Sequence, residues 1–176
     1  FKNLFNYRKN FGKHRFDVLA GIEASKNSRK TSNIRGIGFS NSTLRTPQDA
    51  ALIESYYNES AYNFLSILGR VNYDFDSKYL LSITARRDGS SRFGSDQKYG
   101  YFPSFALGYK LTDESFVPEV FNELKLRASW GQTGNQEICN YASQLTFGAG
   151  RNAILGGSIV GTVQPSRLAN TALKWE

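Results

Sequence analysis

Residue types that ordinarily carry chemistry are sparse in this chain. Cys139 is its only cysteine and His14 its only histidine, and the two lie far apart in sequence. One thiol can build neither an internal disulfide nor a thiolate zinc cluster. No nucleophile, base and orienting group stand in a recognisable constellation, so no catalysis, metal or cofactor is expected. His14 reads as a polar residue near a turn. Gly148, Gly150, Gly156, Gly157 and Gly161 lack the Gly-Lys-Ser/Thr that would complete a phosphate loop, and they read as loop flexibility.

What remains is charge, and its placement matters more than its amount. Residues 1–35 hold nine Lys and Arg against Asp17 and Glu23, which accounts for the whole formal charge of +7; the rest of the chain balances at thirteen of each sign. A local excess of this kind is not a basic field over a surface. The aromatic residues follow strand parity instead of forming a stacking platform, so nucleic-acid binding is not expected.

The charges must be positioned by strands. In Tyr79–Arg86 every second residue is apolar (Tyr79, Leu81, Ile83, Ala85), and Leu124–Trp130 repeats the pattern with Leu124, Leu126, Ala128 and Trp130. Side chains alternate faces along a strand, so these segments divide an apolar medium from a wet one. Arg70, Arg86, Lys125 and Arg127 fall on the wet parity. Tyr79, Leu81, Ile83, Ala85, Phe105, Leu107, Leu126 and Trp130 fall on the apolar one.

Six such strands are legible: A, up to about Lys9; B, His14–Ser25; C, Tyr62–Phe75; D, Tyr79–Arg87; E, about Tyr99–Leu111; and F, Glu123 to about Gln132. Leu173–Glu176 begins another. Lys26 to about Ala61 reads as a long polar connection, with a short helical turn over Pro47–Glu54. Asp76-Ser77-Lys78 signals a tight hairpin, Thr112–Asn122 a connection, and a glycine-rich tract extends to Ala172. Pro103 cannot donate to a ladder and suggests a bulge or a strand start.

A lipid bilayer and a protein core are both candidates for the apolar medium. Short and long connections alternate, and aromatic residues gather at strand ends on the apolar parity: Tyr73, Phe75 and Tyr79 at one side, Tyr101 and Trp130 at the other. Both features suit a membrane-spanning barrel, as does a polar average composition with ten Tyr and thirteen Phe. A soluble β-sandwich also alternates. No apolar run of about 18 residues exists, so a membrane helix is excluded.

Several words of the sequence are more specific. Asp76-Ser77-Lys78-Tyr79-Leu80-Leu81, Arg87-Asp88-Gly89-Ser90-Ser91-Arg92-Phe93-Gly94, Phe102-Pro103-Ser104, Leu124 through Gln136, and Leu173-Lys174-Trp175-Glu176 resemble, in order, the SusC/RagA family of TonB-dependent outer-membrane transporters. Weaker similarity covers almost the whole chain. The resemblance implies an all-β fold, an antiparallel transmembrane β-barrel of about 22 strands with an N-terminal plug. It implies import of oligosaccharides or peptides across the outer membrane of a Gram-negative bacterium of the Bacteroidota. It also implies energy relayed by TonB and a SusD-like surface lipoprotein as a lid.

Residues 1–176 are then expected to be a segment of the barrel wall, without the plug, the TonB-contacting segment or the C-terminal strands. About six strands fall short of the roughly eight at which spanning barrels begin. An open edge in lipid would cost several kcal/mol for each of several unpaired backbone groups, of order tens of kcal/mol in all. Arg70, Arg86, Lys125 and Arg127 would face the lumen or the plug, because Arg or Lys at mid-membrane on the lipid face costs about 2–4 kcal/mol. The loop Arg87–Gly94 reads as structural before it reads as a ligand site, and Tyr56, Tyr57 and Tyr141 could stack on sugar rings. A passive porin, an adhesin and a soluble β-rich binding module are the alternatives.

Overall fold

The computed structural model describes residues 1–112, 114, 116–118 and 120–176, so three positions of the 112–122 connection lie outside the described residues. Two compact units divide the chain: 1–25 with 63–176, and 26–62.

The first unit is built on a sheet whose strand order follows chain order: β1 (Lys2–Phe11), β2 (His14–Phe39), β3 (Ala50–Phe75), β4 (Tyr79–Ser90), β5 (Tyr99–Lys110) and β6 (Lys125–Gly131). Local chemistry explains the tight turns. Gly12 supplies the positive φ of +56° at the first position of the two-residue β1–β2 turn. Between β3 and β4, Asp76 and Ser77 take φ of 55° and 57°. The Asp74 carboxylate accepts from the Ser77 N–H at 2.9 Å, and the Phe75 carbonyl accepts from the Lys78 N–H at 3.0 Å.

Register aligns the alternation across strands. Val71, Ile83, Phe105 and Trp130 form one row on one face; Tyr73, Leu81, Leu107 and Ala128 form the next; Phe75, Tyr79, Tyr109 and Leu126 form a third. On the opposite face Asn72, Ser82, Ala106 and Ser129 line up, as do Arg70, Thr84, Ser104 and Gly131. Among the described residues the apolar rows have no protein against them: Ile83 is 49 % exposed, Phe105 47 % and Leu126 65 %. Among the described residues the buried hydrophobic side chain is Phe93, and it sits in a loop.

The structure corrects several expected boundaries. Residues 26–39 and 50–61 continue β2 and β3, where the sequence suggested a polar connection. Apolar residues there fall on both parities, Ile34 and Ile37 in β2 and Leu52 and Ile53 in β3, so no alternation reports the strand. In the 26–62 unit, Lys30–Glu59 at 3.4 Å and Arg35–Glu54 at 3.9 Å join the two strands. The expected helical turn shrinks to a 3₁₀ turn at Pro47–Asp49, because Ala50–Glu54 is already strand.

The glycine-rich tract is also not all loop. It contains a separate two-stranded sheet, β7 (Thr146–Leu155) and β8 (Ser158–Arg167). Gly156 and Gly157, at φ of 60° and 80°, make its turn. Pro103 causes no bulge, since the β4–β5 register runs unbroken through its pairing with Ala85. Its carbonyl accepts from the Gln132 N–H at 3.0 Å, so its imide nitrogen also points toward β6, where that ladder stops at Ser104 and Gly131. A missing donor there breaks no pair.

Candidate functional site

Segments distant in sequence converge beyond the ends of β4 and β5. Arg92 donates from Nε to the Asn140 side-chain oxygen at 2.7 Å and from Nη1 to the Gln136 carbonyl at 3.0 Å. Phe93, 2 % exposed, packs against the Trp175 ring at a centroid distance of 4.7 Å. Trp175 meets Phe102 edge-on at 5.3 Å and donates its indole N–H to the Lys98 carbonyl at 3.1 Å.

Glycines make the close approaches possible. A Cβ at Gly94 would collide with the Thr171 carbonyl, and a Cβ at Gly100 or Gly134 would collide with the Phe102 ring. Ser91 exchanges two hydrogen bonds with Asn63, its N–H donating to the Asn63 carbonyl at 3.0 Å and its hydroxyl accepting from the Asn63 N–H at 2.9 Å. Asn135 donates to the Glu176 carbonyl at 2.8 Å. The segment 87–94, expected as a loop but in strand β4 as far as Ser90, the Phe102 word, the 131–136 word and Trp175 are thus one clasp in space.

The polar face carries the four wet-parity cations, and the structure does not gather them. Arg70 lies across from Thr84 and donates to its hydroxyl at 3.3 Å. Arg86 is held by Asp88 at 2.6 and 2.7 Å. Lys125 and Arg127 stand on β6, nearer the turn end, beside a groove of about 390 Å³ that also meets Arg15, Asp17 and Asp74. Arg15 pairs with Asp74 at 3.6 Å and Arg8 with Asp17 at 2.5 Å, while Lys125 and Arg127 have no ion-pair partner among the described residues.

A second polar-face groove, about 360 Å³, runs under the clasp. Phe64, Phe102 and Trp175 give it rings, and Arg86, Asp88 and Gln132 give it polar groups. Gln136 also lines it, with a buried side-chain oxygen that no donor reaches among the described residues. Ring faces with amide and charged groups can hold a sugar or a peptide.

On the apolar face the turn end carries a continuous chain of rings. Phe11 contacts Phe16, Phe16 contacts Tyr73, Phe75 contacts Tyr79, and Tyr79 stacks on Tyr109 at 4.9 Å and 5°. His14 belongs to this chain: its Nδ1 lies 2.8 Å from the Tyr73 hydroxyl and its ring 4.8 Å from Phe75. The sequence reading missed Phe11, Phe16, Tyr109 and His14 as members of the set. Their shared parity across the two tight turns was the available signal. Tyr56, Tyr57 and Tyr141 are exposed.

A one-layer antiparallel sheet, apolar and uncovered on one face, polar and charged on the other, and ringed by aromatics at its turn end, has the construction of a transmembrane β-barrel wall. The chain belongs to the TonB-dependent receptor-like β-barrel family, whose model matches residues 1–176. It is 35 % identical to TonB-dependent receptor P3 of Formosa agariphila over 99 % of its own length and 18 % of that protein's. TonB-dependent receptor SusC of Bacteroides thetaiotaomicron is 35 % identical over 97 % of this chain and 17 % of its own. Among solved structures, the RagAB peptide importer in its open-open state superposes with a TM-score of 0.82 at 27 % identity, covering 99 % of this chain and 19 % of that one. The chain spans about a fifth of the length of these relatives.

Proposed function

We propose that residues 1–176 form a section of the wall of an outer-membrane barrel that imports glycans or peptides by a TonB-dependent route, with a SusD-like surface lipoprotein over its outer mouth. The observation that carries the reading is the division of one sheet into an uncovered apolar face and a charged face, in a chain matched along its whole length to the receptor-barrel family. The apolar rows face lipid, and Arg70, Arg86, Lys125 and Arg127 face the lumen. The likeness to SusC and to a RagAB peptide importer supports both cargo classes and the lipoprotein partner. Plug, TonB-contacting segment and closing strands belong to other parts of the same polypeptide. The contribution of this section is passive, with no reaction of its own: wall, lumen surface and outer loops.

The test is uptake by cells carrying the full-length protein. Labelled glycan or peptide should accumulate only when TonB and the lipoprotein partner are both present. Accumulation that persists without TonB would instead identify a passive porin. The clasp groove is the place on this section where cargo or plug makes contact. Gln132→Ala should weaken uptake while leaving the amount of folded barrel unchanged, since its side chain lines the groove and its backbone N–H makes the bond to Pro103.

A further inference from the structure

Arg87 is out of place. It shares the parity of Tyr79, Leu81, Ile83 and Ala85, so β4 sends a guanidinium to the apolar face. Among the described residues its Nε is buried without a hydrogen-bond partner, and no carboxylate pairs with it. Two rings hold it: Tyr99 at 4.1 Å and Tyr101 at 5.5 Å from the guanidinium carbon to the ring centroids. Tyr99 reaches it because position 89 is glycine, where a Cβ would strike the Tyr99 ring.

Directly along the strand toward the sheet centre lies a row of small or flat residues, Gly69 facing Ala85 facing Pro103. They floor a groove of about 480 Å³ walled by Ile67 and Tyr101, with Arg87 at its head. A Cβ at Gly69 would meet nothing within 4 Å, so the depression is open. Arg87 stands eight residues beyond Tyr79, about 27 Å along the strand and about 20 Å in height at the usual tilt. That is close to the height of the apolar band, so Arg87 sits at the boundary opposite the Phe75–Tyr79–Tyr109 rings, where headgroups lie, and on the side of the longer 91–98 connection, which is the outer side of such a barrel.

We infer that Arg87, clamped by Tyr99 and Tyr101, and the Gly69–Ala85–Pro103 groove form a binding site for a phosphate-bearing lipid of the outer leaflet, with the phosphate on the guanidinium and an acyl chain in the groove. Charge complementarity selects the head, since an unpaired guanidinium fork matches a phosphate monoester. The apolar floor selects a lipid over a free anion. The inference rests on the reading of the apolar face as bilayer-facing.

The full-length protein, purified in neutral detergent, would be titrated with monophosphoryl lipid A, with its dephosphorylated form and with inorganic phosphate, and bound species counted by native mass spectrometry. Monophosphoryl lipid A should bind the parent protein at least about tenfold more tightly than either control. Arg87→Gln and Ala85→Phe should each reduce that binding about tenfold, the second without touching the charge. Equal binding to the parent protein and to Arg87→Gln would overturn the site. Tight binding of inorganic phosphate would overturn the lipid as occupant. A spin label at Ile83 separates the two failures: protection from membrane-dissolved oxygen would mean that the bilayer reading itself is wrong, whereas exposure with no lipid A binding would defeat only the Arg87 site.

Discussion

Phe93 owes its burial to residues that the sequence separates widely, and its loss should be felt throughout the clasp. Phe93→Ala removes the ring against which Trp175 packs, a change that costs about 3–5 kcal/mol in a closed site. In the full-length protein it should make the 91–98 segment sensitive to protease while the strands stay resistant. The β3–β4 turn offers a gain instead. Ser77 holds a left-handed φ of 57°, which costs a side-chain-bearing residue about 1–2 kcal/mol, and glycine returns part of that in unfolded-chain entropy. Ser77→Gly should therefore raise stability by about 0.5–1 kcal/mol in urea unfolding. Tyr57 supplies a pH signature. It donates to Glu59 at 3.0 Å, and that bond together with the nearby carboxylate charge raises its pKa above the ordinary 10.0. The folded state thus holds the phenolic proton more tightly than the unfolded chain. The contribution is complete below the unfolded pKa of about 10 and is lost as pH rises through the raised folded value. Phenolate absorbance should show a late-titrating tyrosine that Tyr57→Phe removes.

Strands β3 to β6 were legible because each has two different environments, one per face, and the residues record the difference. Val71, Ile83, Phe105 and Trp130 fall in one row because a single parity is kept across three pairings. The distal parts of β2 and β3 were illegible for the converse reason: Lys30, Arg35, Glu54 and Glu59 pair between strands, and the apolar residues Leu52 and Ile53 stand side by side on opposite parities, so nothing in the sequence marks a face. The β7–β8 hairpin hid behind its own glycines, and its register shifts between Ala149 and Asn152 break the period further. The clasp was half visible. Its words stood out as words, but nothing in their spacing says that Arg92 reaches Asn140 or that Phe93 reaches Trp175. The same two-faced logic gives a test. Ile83→Arg places a charge in the middle of an apolar row and should cost about 2–4 kcal/mol if lipid lies against it. Thr84→Arg, one residue on, turns to the polar face beside Arg70 and should be tolerated. Comparing the two for heat-resistant folded barrel in outer membranes asks about the face directly, since size, charge and strand position are nearly matched.

At the level of the whole sheet, the decisive feature is its edges. β1 has a partner only in β2 among the described strands, and β6 is bordered on its far side by no complete strand, although Asn135 already bonds to Glu176 just past its end. In water such edges can hydrate. In hydrocarbon they cannot, and each unpaired group costs several kcal/mol, which several pairs of cross-strand side chains do not offset. The sheet is therefore stable in a bilayer only when other strands of the polypeptide close on both edges. Hydrogen exchange reads this edge by edge. In the full-length protein in lipid, amides of β1 should exchange as slowly as those of β4, because both edges of each strand are paired. In residues 1–176 expressed alone, β4 lies between two neighbours and should keep measurable protection, whereas the outward amides of β1 should exchange at near-solvent rates and the piece should fail to form a heat-resistant band in membranes. Equal protection of β1 in the isolated piece would show a sheet that closes or caps itself, and an importer wall would no longer be the reading that the alternation supports.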